Sequence, residues 1–268
     1  MDTSNQITKQ DLENAFAKQE FVLYYQPQFN LTSSTFEGVE ALVRWKHPNG
    51  LLLPDDFLKV LEEKGMISRL GEWVLETVCK QNKEWEKKGL FPVRIAVNIY
   101  NEHFQQSNFV DVVLSVLEKY KIDPRLLELE LSENLIIHAH DTVAYENIKR
   151  LRVEGIKIAL DDFGTGFSSI SHLKRITVDR IKIDKSYIKN IHLNKDDATI
   201  VKAIIALAEG LDLQSLAEGV ESQNQLQVLM KYECHEAQGF YFSEPLTAQE
   251  TEEFLLLYRQ NPFIFNHP

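Results

Sequence analysis

Between residues 126 and 185 the chain reads LLELELS at 126–132, TVAYENIKRLRV at 142–153, IKIALDD at 156–162 and RIKIDK at 180–185. Three short runs alternate residue by residue, and between the first two lies a segment whose apolar positions recur every three or four residues. That is strand, helix, strand, strand-like run, the beginning of a parallel α/β sheet. The alternation has an unusual content. In Leu127-Glu128-Leu129-Glu130-Leu131 acids alternate with leucines, and in Ile181-Lys182-Ile183-Asp184 a cation and an acid alternate with isoleucines. A period of two puts each charged set on one face of its strand. If the leucines and isoleucines face the surrounding helices, Glu130, Lys182 and Asp184 point to the inside of a closed sheet. Charges in such a place must be paired or bound to metal.

Working outward, further strand-like runs lie at 21–29 (FVLYYQPQF), 37–45 (EGVEALVRW), 93–99 (VRIAVNI), 213–219 (LQSLAEG) and 237–242 (AQGFYF). Helical spacing marks 69–87, 109–119, 197–209, 222–231 and about 248–259; the last opens with Thr247 and Glu250 in the spacing of a capping box. Eight strands over this length predict a (β/α)8 barrel. The two runs at 21–29 and 37–45 are joined by a stretch too short for a helical crossover, so they are expected to form an antiparallel hairpin. The predicted fold is therefore a modified TIM-like barrel with an antiparallel first strand pair. A doubly wound open sheet is the alternative; it lacks a G-x-G-x-x-G after the first strand.

Composition narrows the function. The chain has 268 residues, 29 Lys and Arg against 40 Asp and Glu, and a net charge of −11. That charge disfavours polymeric nucleic acid and anionic membranes as partners. With two cysteines, a polar N-terminus and no long apolar run, the expected setting is reducing and cytoplasmic, without membrane contact. No linker-like stretch divides the chain, so residues 1–268 read as one domain with a core at about 9–259. Cys79, directly after the apolar helical stretch 73–78, reads as a buried thiol, and histidines 138, 140, 172, 192, 235 and 267 lie in loops or at element ends.

More acids fall at the C-terminal ends of strands: Asp161 and Asp162, Glu218, Asp184, and Glu40 within 37–45, with Asn98 close to the end of 93–99. In a barrel all these ends open at one mouth. Six carboxylates there need cations; Lys182 and two divalent ions leave a residual charge of about −1. All-oxygen ligands suit Mg²⁺ or Mn²⁺ rather than zinc, and two such ions bridged by a carboxylate are suited to in-line phosphoryl displacement. Paired carboxylates acting on a sugar are the competing reading. Asp162-Phe163-Gly164 has the letters of a kinase motif, but no glycine-rich phosphate loop or His-Arg-Asp loop accompanies it.

The ordered set YYQPQ (24–28), EALVRW (40–45), AVN (96–98), LELELSEN (127–134), LDDFGTGFSSISHL (160–173), IKID (181–184), AEGVE (217–221) and QGFYFSEPL (238–246) resembles the EAL-domain family of bacterial cyclic-di-GMP phosphodiesterases. The resemblance implies hydrolysis of cyclic di-GMP to linear pGpG with two Mg²⁺ or Mn²⁺ ions. It implies Glu40, Asn98, Glu130 and Asp161 as ligands of one metal, and Asp161 with Asp162 and Glu218 at the second. Lys182 would orient the attacking water, with Glu218 as the general base. Gln26, Leu42, Arg44, Asp184 and Gln238 match substrate-binding positions, Glu133 the support of the DDFGTG loop, and a homodimer through the helices beside that loop is expected. Tyr100, Phe167, His172, His235 and Glu244 depart from the family pattern without removing a ligand. A catalytically silent receptor or interaction module is the alternative function.

Overall fold

The computed structural model describes residues 7–133, 135, 142–165, 173 and 177–261. Its sheet has ten strands: β1 (Phe21–Asn30), β2 (Thr35–His47), β3 (Gly50–Leu52), β4 (Arg94–Ile99), β5 (Leu127–Ser132), β6 (Lys157–Phe163), β7 (Arg180–Ile183), β8 (Gln214–Ala217), β9 (Glu236–Ala237) and β10 (Leu246–Thr247). Pairings β2–β4–β5–β6–β7–β8–β9 are all parallel. β1 closes the ring by pairing antiparallel to both β2 and β9. The result is an eight-stranded barrel with β3 and β10 appended to its edges, and the antiparallel hairpin expected between the first two strands is present. Residues 31–34 cannot carry a crossover, and Ser34 takes a left-handed conformation (φ 56°) to turn the chain back.

The parallel strands are buried on both faces, as helices on the outside require. In β5, Leu127, Leu129 and Leu131 are at most 2% exposed, and so are Glu128 and Glu130 between them. Outside, the helix Ile67–Lys87 buries Leu70, Val74, Val78 and Trp85, with the Trp85 ring edge-on to Tyr25 at 5.1 Å. Thr247 and Glu250 form the expected capping box on Ala248–Gln260, and Cys79 is buried.

Some boundaries differ from the sequence reading. The helices Lys9–Ala17 and Pro54–Glu63 were not anticipated, because their stripes are short and rich in charge. The run 237–242 is a strand only to Ala237. At Gly239 (φ 154°) the chain turns against Val220 so closely that a Cβ would lie 2.2 Å from the Val220 carbonyl oxygen. Backbone hydrogen bonds from Tyr241 to Val220 and from Phe242 to Gly239 then hold a turn where a strand was expected. Phe167, His172, His138, His140, His267 and Gly166, the last residue of DDFGTG, lie outside the described residues.

Candidate active site at the barrel mouth

Period two and strand register together bring the predicted residues to one place. Glu40 on β2 faces Gln26 across the β1–β2 ladder, and Asn98 on β4 stands beside Glu130 on β5. Asn98 Nδ2 donates to Glu40 Oε1 at 2.9 Å, and Gln238 Nε2 donates to Glu40 Oε2 at 2.5 Å and to Glu218 Oε1 at 3.3 Å. At the centre is Lys182, whose side chain does not reach solvent. Its Nζ lies 2.8 Å from Glu130 Oε2, 2.9 Å from both Asp161 Oδ1 and Glu218 Oε1, and 3.6 Å from Glu40 Oε2.

Asp161 and Asp162 are consecutive, so a regular strand would aim them to opposite faces. The β6–β7 register slips between Leu160 and Phe163, leaving one extra residue on β6, and Asp162 takes a left-handed φ of 53°. This bulge re-aims the second carboxylate. Ligand oxygens of Asp161, Asp162 and Glu218 consequently lie within 4.8 Å of one another. Beyond the bulge, Gly164 N–H donates to Glu133 Oε2 at 3.1 Å and Tyr187 O–H donates to the Gly164 carbonyl at 2.5 Å. Asp184 accepts from Ser186 N–H at the start of a short helix and lines the mouth.

The electrostatics show a site short of positive charge. Burial raises Glu130 well above the usual carboxylate range, with Glu40 and Asp161 adding to the effect. Burial likewise pushes Glu218 up to about 8, and burial with the neighbouring Asp161 pushes Asp162 up to about 6. Glu40 is held low because Lys182, Gln238 and Asn98 together outweigh its burial. Four acids around one ammonium raise Lys182 despite its burial. Among the described residues, neither Glu130 oxygen nor Asp161 Oδ1 has a hydrogen-bond partner of normal geometry. Buried carboxylate oxygens left this way, beside an all-oxygen cluster, fit hard divalent cations.

Above this layer opens a cleft of about 520 Å³ lined by Gln26, Leu42, Arg44, Asp184 and Gln238 among others. Arg44 lines it from β2, its guanidinium 5.8 Å from the centre of the Tyr24 ring and donating to the Val43 carbonyl. Every predicted metal-ligating and substrate-binding residue except Glu130 lines this cleft; Glu130 and the predicted catalytic residue Lys182 are buried beneath it. Sequence reasoning missed Leu53, Lys185, Phe240 and Pro245 on its rim; Phe240 is 59% exposed. An exposed aromatic within the expected strand 237–242 was the available signal. A side cleft of about 280 Å³ is lined by Leu42, Asn98, Tyr100 and Asp162, so the Tyr100 ring does stand at the mouth.

The family model described as the EAL domain matches residues 9–245, which includes all of these site residues. The chain belongs to the EAL-domain family. Among curated proteins, this EAL-domain chain is 38% identical over 252 residues to the cyclic di-GMP phosphodiesterase NbdA of Pseudomonas aeruginosa, covering 94% of the chain and 32% of NbdA. It is 38% identical over 241 residues to the bifunctional diguanylate cyclase/cyclic di-GMP phosphodiesterase MucR of the same organism, covering 90% of the chain and 35% of MucR. The chain thus spans about a third of the length of the curated relatives it matches. The solved structure of the PaMucR phosphodiesterase in complex with c-di-GMP superposes with a TM-score of 0.86 at 37% identity, covering 90% of this chain and 98% of that one. Those comparisons establish the EAL family and barrel for this chain, and among its described residues no helix is long and apolar enough to cross a membrane.

Proposed function

We propose that this EAL domain, residues 1–268 with a core at about 9–259, hydrolyses cyclic di-GMP to linear pGpG with two Mg²⁺ or Mn²⁺ ions. The observation that carries the reading is the buried cluster of Glu40, Glu130, Asp161 and Glu218 around Lys182, beneath the cleft at the barrel mouth. Glu40, Asn98, Glu130 and Asp161 would hold one ion; Asp161, Asp162 and Glu218 would hold the other. When bound, such ions supply Lewis acidity, making water more acidic and offsetting charge that develops on the phosphoryl oxygens.

The chain's own groups do the rest. Lys182, held as an ammonium by its acids, orients the attacking water through an N–H donor. Glu218 accepts the proton that water loses. A new O–P bond forms as the bond to the opposite 3′-oxygen breaks, and that oxygen takes a proton from solvent, so the product carries a 5′-phosphate and a free 3′-hydroxyl. Gln26 (donating to the Ser243 carbonyl at 3.1 Å), Leu42, Arg44, Asp184 and Gln238 shape the cleft around the dinucleotide. Glu133 steadies the loop through Gly164. A homodimer through the helices beside the DDFGTG loop, the pairing the family resemblance implies, has sedimentation as its test.

The deciding experiment incubates the purified chain with cyclic di-GMP and Mg²⁺ or Mn²⁺, with EDTA and Glu40→Ala controls, and separates the nucleotides. Metal-dependent pGpG, absent from both controls, is the expected result. Intact substrate with measurable binding would make the chain a receptor and point to Tyr100 as the obstruction.

A further inference from the structure

Beneath the active-site layer the barrel interior holds a second polar layer that the mechanism does not use. Arg180 is fully buried, with Nη1 2.8 Å from Glu128 Oε1 and Nη2 2.8 Å from Glu236 Oε1. Arg94 Nη2 lies 3.2 Å from Glu236 Oε2. Two arginines and two glutamates balance their charges there. Among the described residues, one side chain joins this layer to the site above: Gln28, on β1 and wholly buried. Its Oε1 accepts from Arg94 Nη2 at 3.2 Å and from Arg180 Nη1 at 3.3 Å, while its Nε2 donates to Gln238 Oε1 at 2.8 Å.

This chain of contacts has only one polarity. Guanidinium groups donate and never accept, so the Gln28 atom that faces them is its carbonyl oxygen. Its NH₂ must then face Gln238, which can answer only with its own oxygen. The Gln238 NH₂ is left pointing at Glu40 Oε2 and Glu218 Oε1. Reversed, Gln238 would set a carbonyl oxygen against the Glu40 carboxylate at hydrogen-bond distance, which is repulsive.

We propose that Gln28 is a positioning residue that transmits the fixed polarity of Arg94 and Arg180 to Gln238, holding the carboxylates of Glu40 and Glu218 in the orientation that receives divalent cations and water. Its effect on turnover rests on the function proposed above; its effect on cation binding does not. Were Gln28 merely a partner for the arginines, its loss would lower stability and leave the site alone.

The test compares wild type, Gln28→Met, Gln238→Met and the double variant of the full chain. Mn²⁺ binding is measured by calorimetry without nucleotide, and kcat and KM with cyclic di-GMP. Gln28→Met is expected to weaken Mn²⁺ binding about tenfold, the low end for losing a partner of a metal ligand, and to lower kcat by a similar factor with KM little changed. Because Gln28 acts through Gln238, the double variant should be no worse than Gln238→Met alone. If Gln28→Met does not fold, Gln28→Glu replaces it: a carboxylate satisfies both arginines but offers Gln238 no donor, and the same loss is expected. Wild-type Mn²⁺ affinity in a variant whose melting temperature falls would overturn the proposal, as would losses that multiply in the double variant. A wild type that binds Mn²⁺ without turning over cyclic di-GMP refutes the proposed function and leaves the binding comparison decisive; a wild type that binds no Mn²⁺ refutes both.

Discussion

Lys182 Nζ lies 2.8 Å from Glu130 Oε2, and neither side chain has any surface in water. Lys182 is therefore tolerable there because of Glu130 and the three acids nearby, and Glu130 because of Lys182. Replacing Lys182 with Met leaves Glu40, Glu130, Asp161 and Glu218 without their common cation. We expect a stability loss of about 3–5 kcal/mol, the usual cost of breaking a buried pair by removing one partner. Divalent cation should recover part of that loss, since it binds only the folded cluster. Thermal melts of Lys182→Met in EDTA and in excess Mg²⁺ check this; a melting temperature indifferent to Mg²⁺ would remove the cluster as a cation site.

Glu218 gives the pH dependence. Folding moves its pKa from 4.5 up to about 8, so between those values the folded chain holds a proton the unfolded chain has released. Its contribution to stability is full below pH 4.5 and is lost as pH rises toward 8. Comparing wild type with Glu218→Gln in EDTA isolates it: wild type should lose ground against the variant as pH climbs through that interval. Cation binding should release protons over the same range, read as a dependence of binding heat on buffer ionisation. A wild type that gains on the variant with rising pH would contradict the assignment.

Phe240 stands at the rim of the cleft with more than half its surface in water. A ring placed there can stack on a base of a bound dinucleotide, worth about 1–3 kcal/mol by alanine substitution in single-strand binders. Phe240→Ala is expected to raise KM for cyclic di-GMP about tenfold or more on that scale, with kcat nearly unchanged. A fall in kcat at constant KM would move Phe240 from substrate capture to the chemistry.

The barrel and most of its site were legible in the sequence for a specific reason. Glu130 and Lys182 occur at alternate positions within leucine and isoleucine runs, and the strand–helix alternation around them called for a parallel barrel, whose strands have no solvated face. What was not legible depended on contacts distant in sequence. Gln28 has nothing around it in FVLYYQPQF to distinguish it from Gln26, and only the closure of β1 onto β9 brings it under Gln238. The adjacent acids Asp161 and Asp162 were expected at the mouth together, but their convergence needs a register slip that period-two reasoning cannot supply. The turn at Gly239 arises from the Val220 backbone, again a partner remote along the chain.

His103 was not singled out by the sequence and is the fully buried histidine among the described residues. Neither ring nitrogen has a hydrogen-bond partner among those residues, and the ring packs edge-on to Phe109 at 4.8 Å. Burial without a partner favours the neutral form and lowers its pKa from 6.5 to about 4. The unfolded chain therefore takes up a proton that the folded one refuses as pH falls from 6.5 to 4. Stability from this group is present above pH 6.5 and lost progressively below it. Replacing His103 with Leu keeps an apolar side chain against Phe109 and removes the titration, so the variant should be less sensitive than wild type to acid. Urea unfolding at pH 7 and pH 5 measures it: the wild type is expected to lose more stability between the two than His103→Leu. An equal loss in both proteins would place the acid sensitivity elsewhere. Gly71 sets the space this ring occupies, since a Cβ there would lie 2.2 Å from His103 Nδ1. Gly71→Ala should cost about 1–3 kcal/mol by overpacking, and combining it with His103→Leu should recover part of that loss.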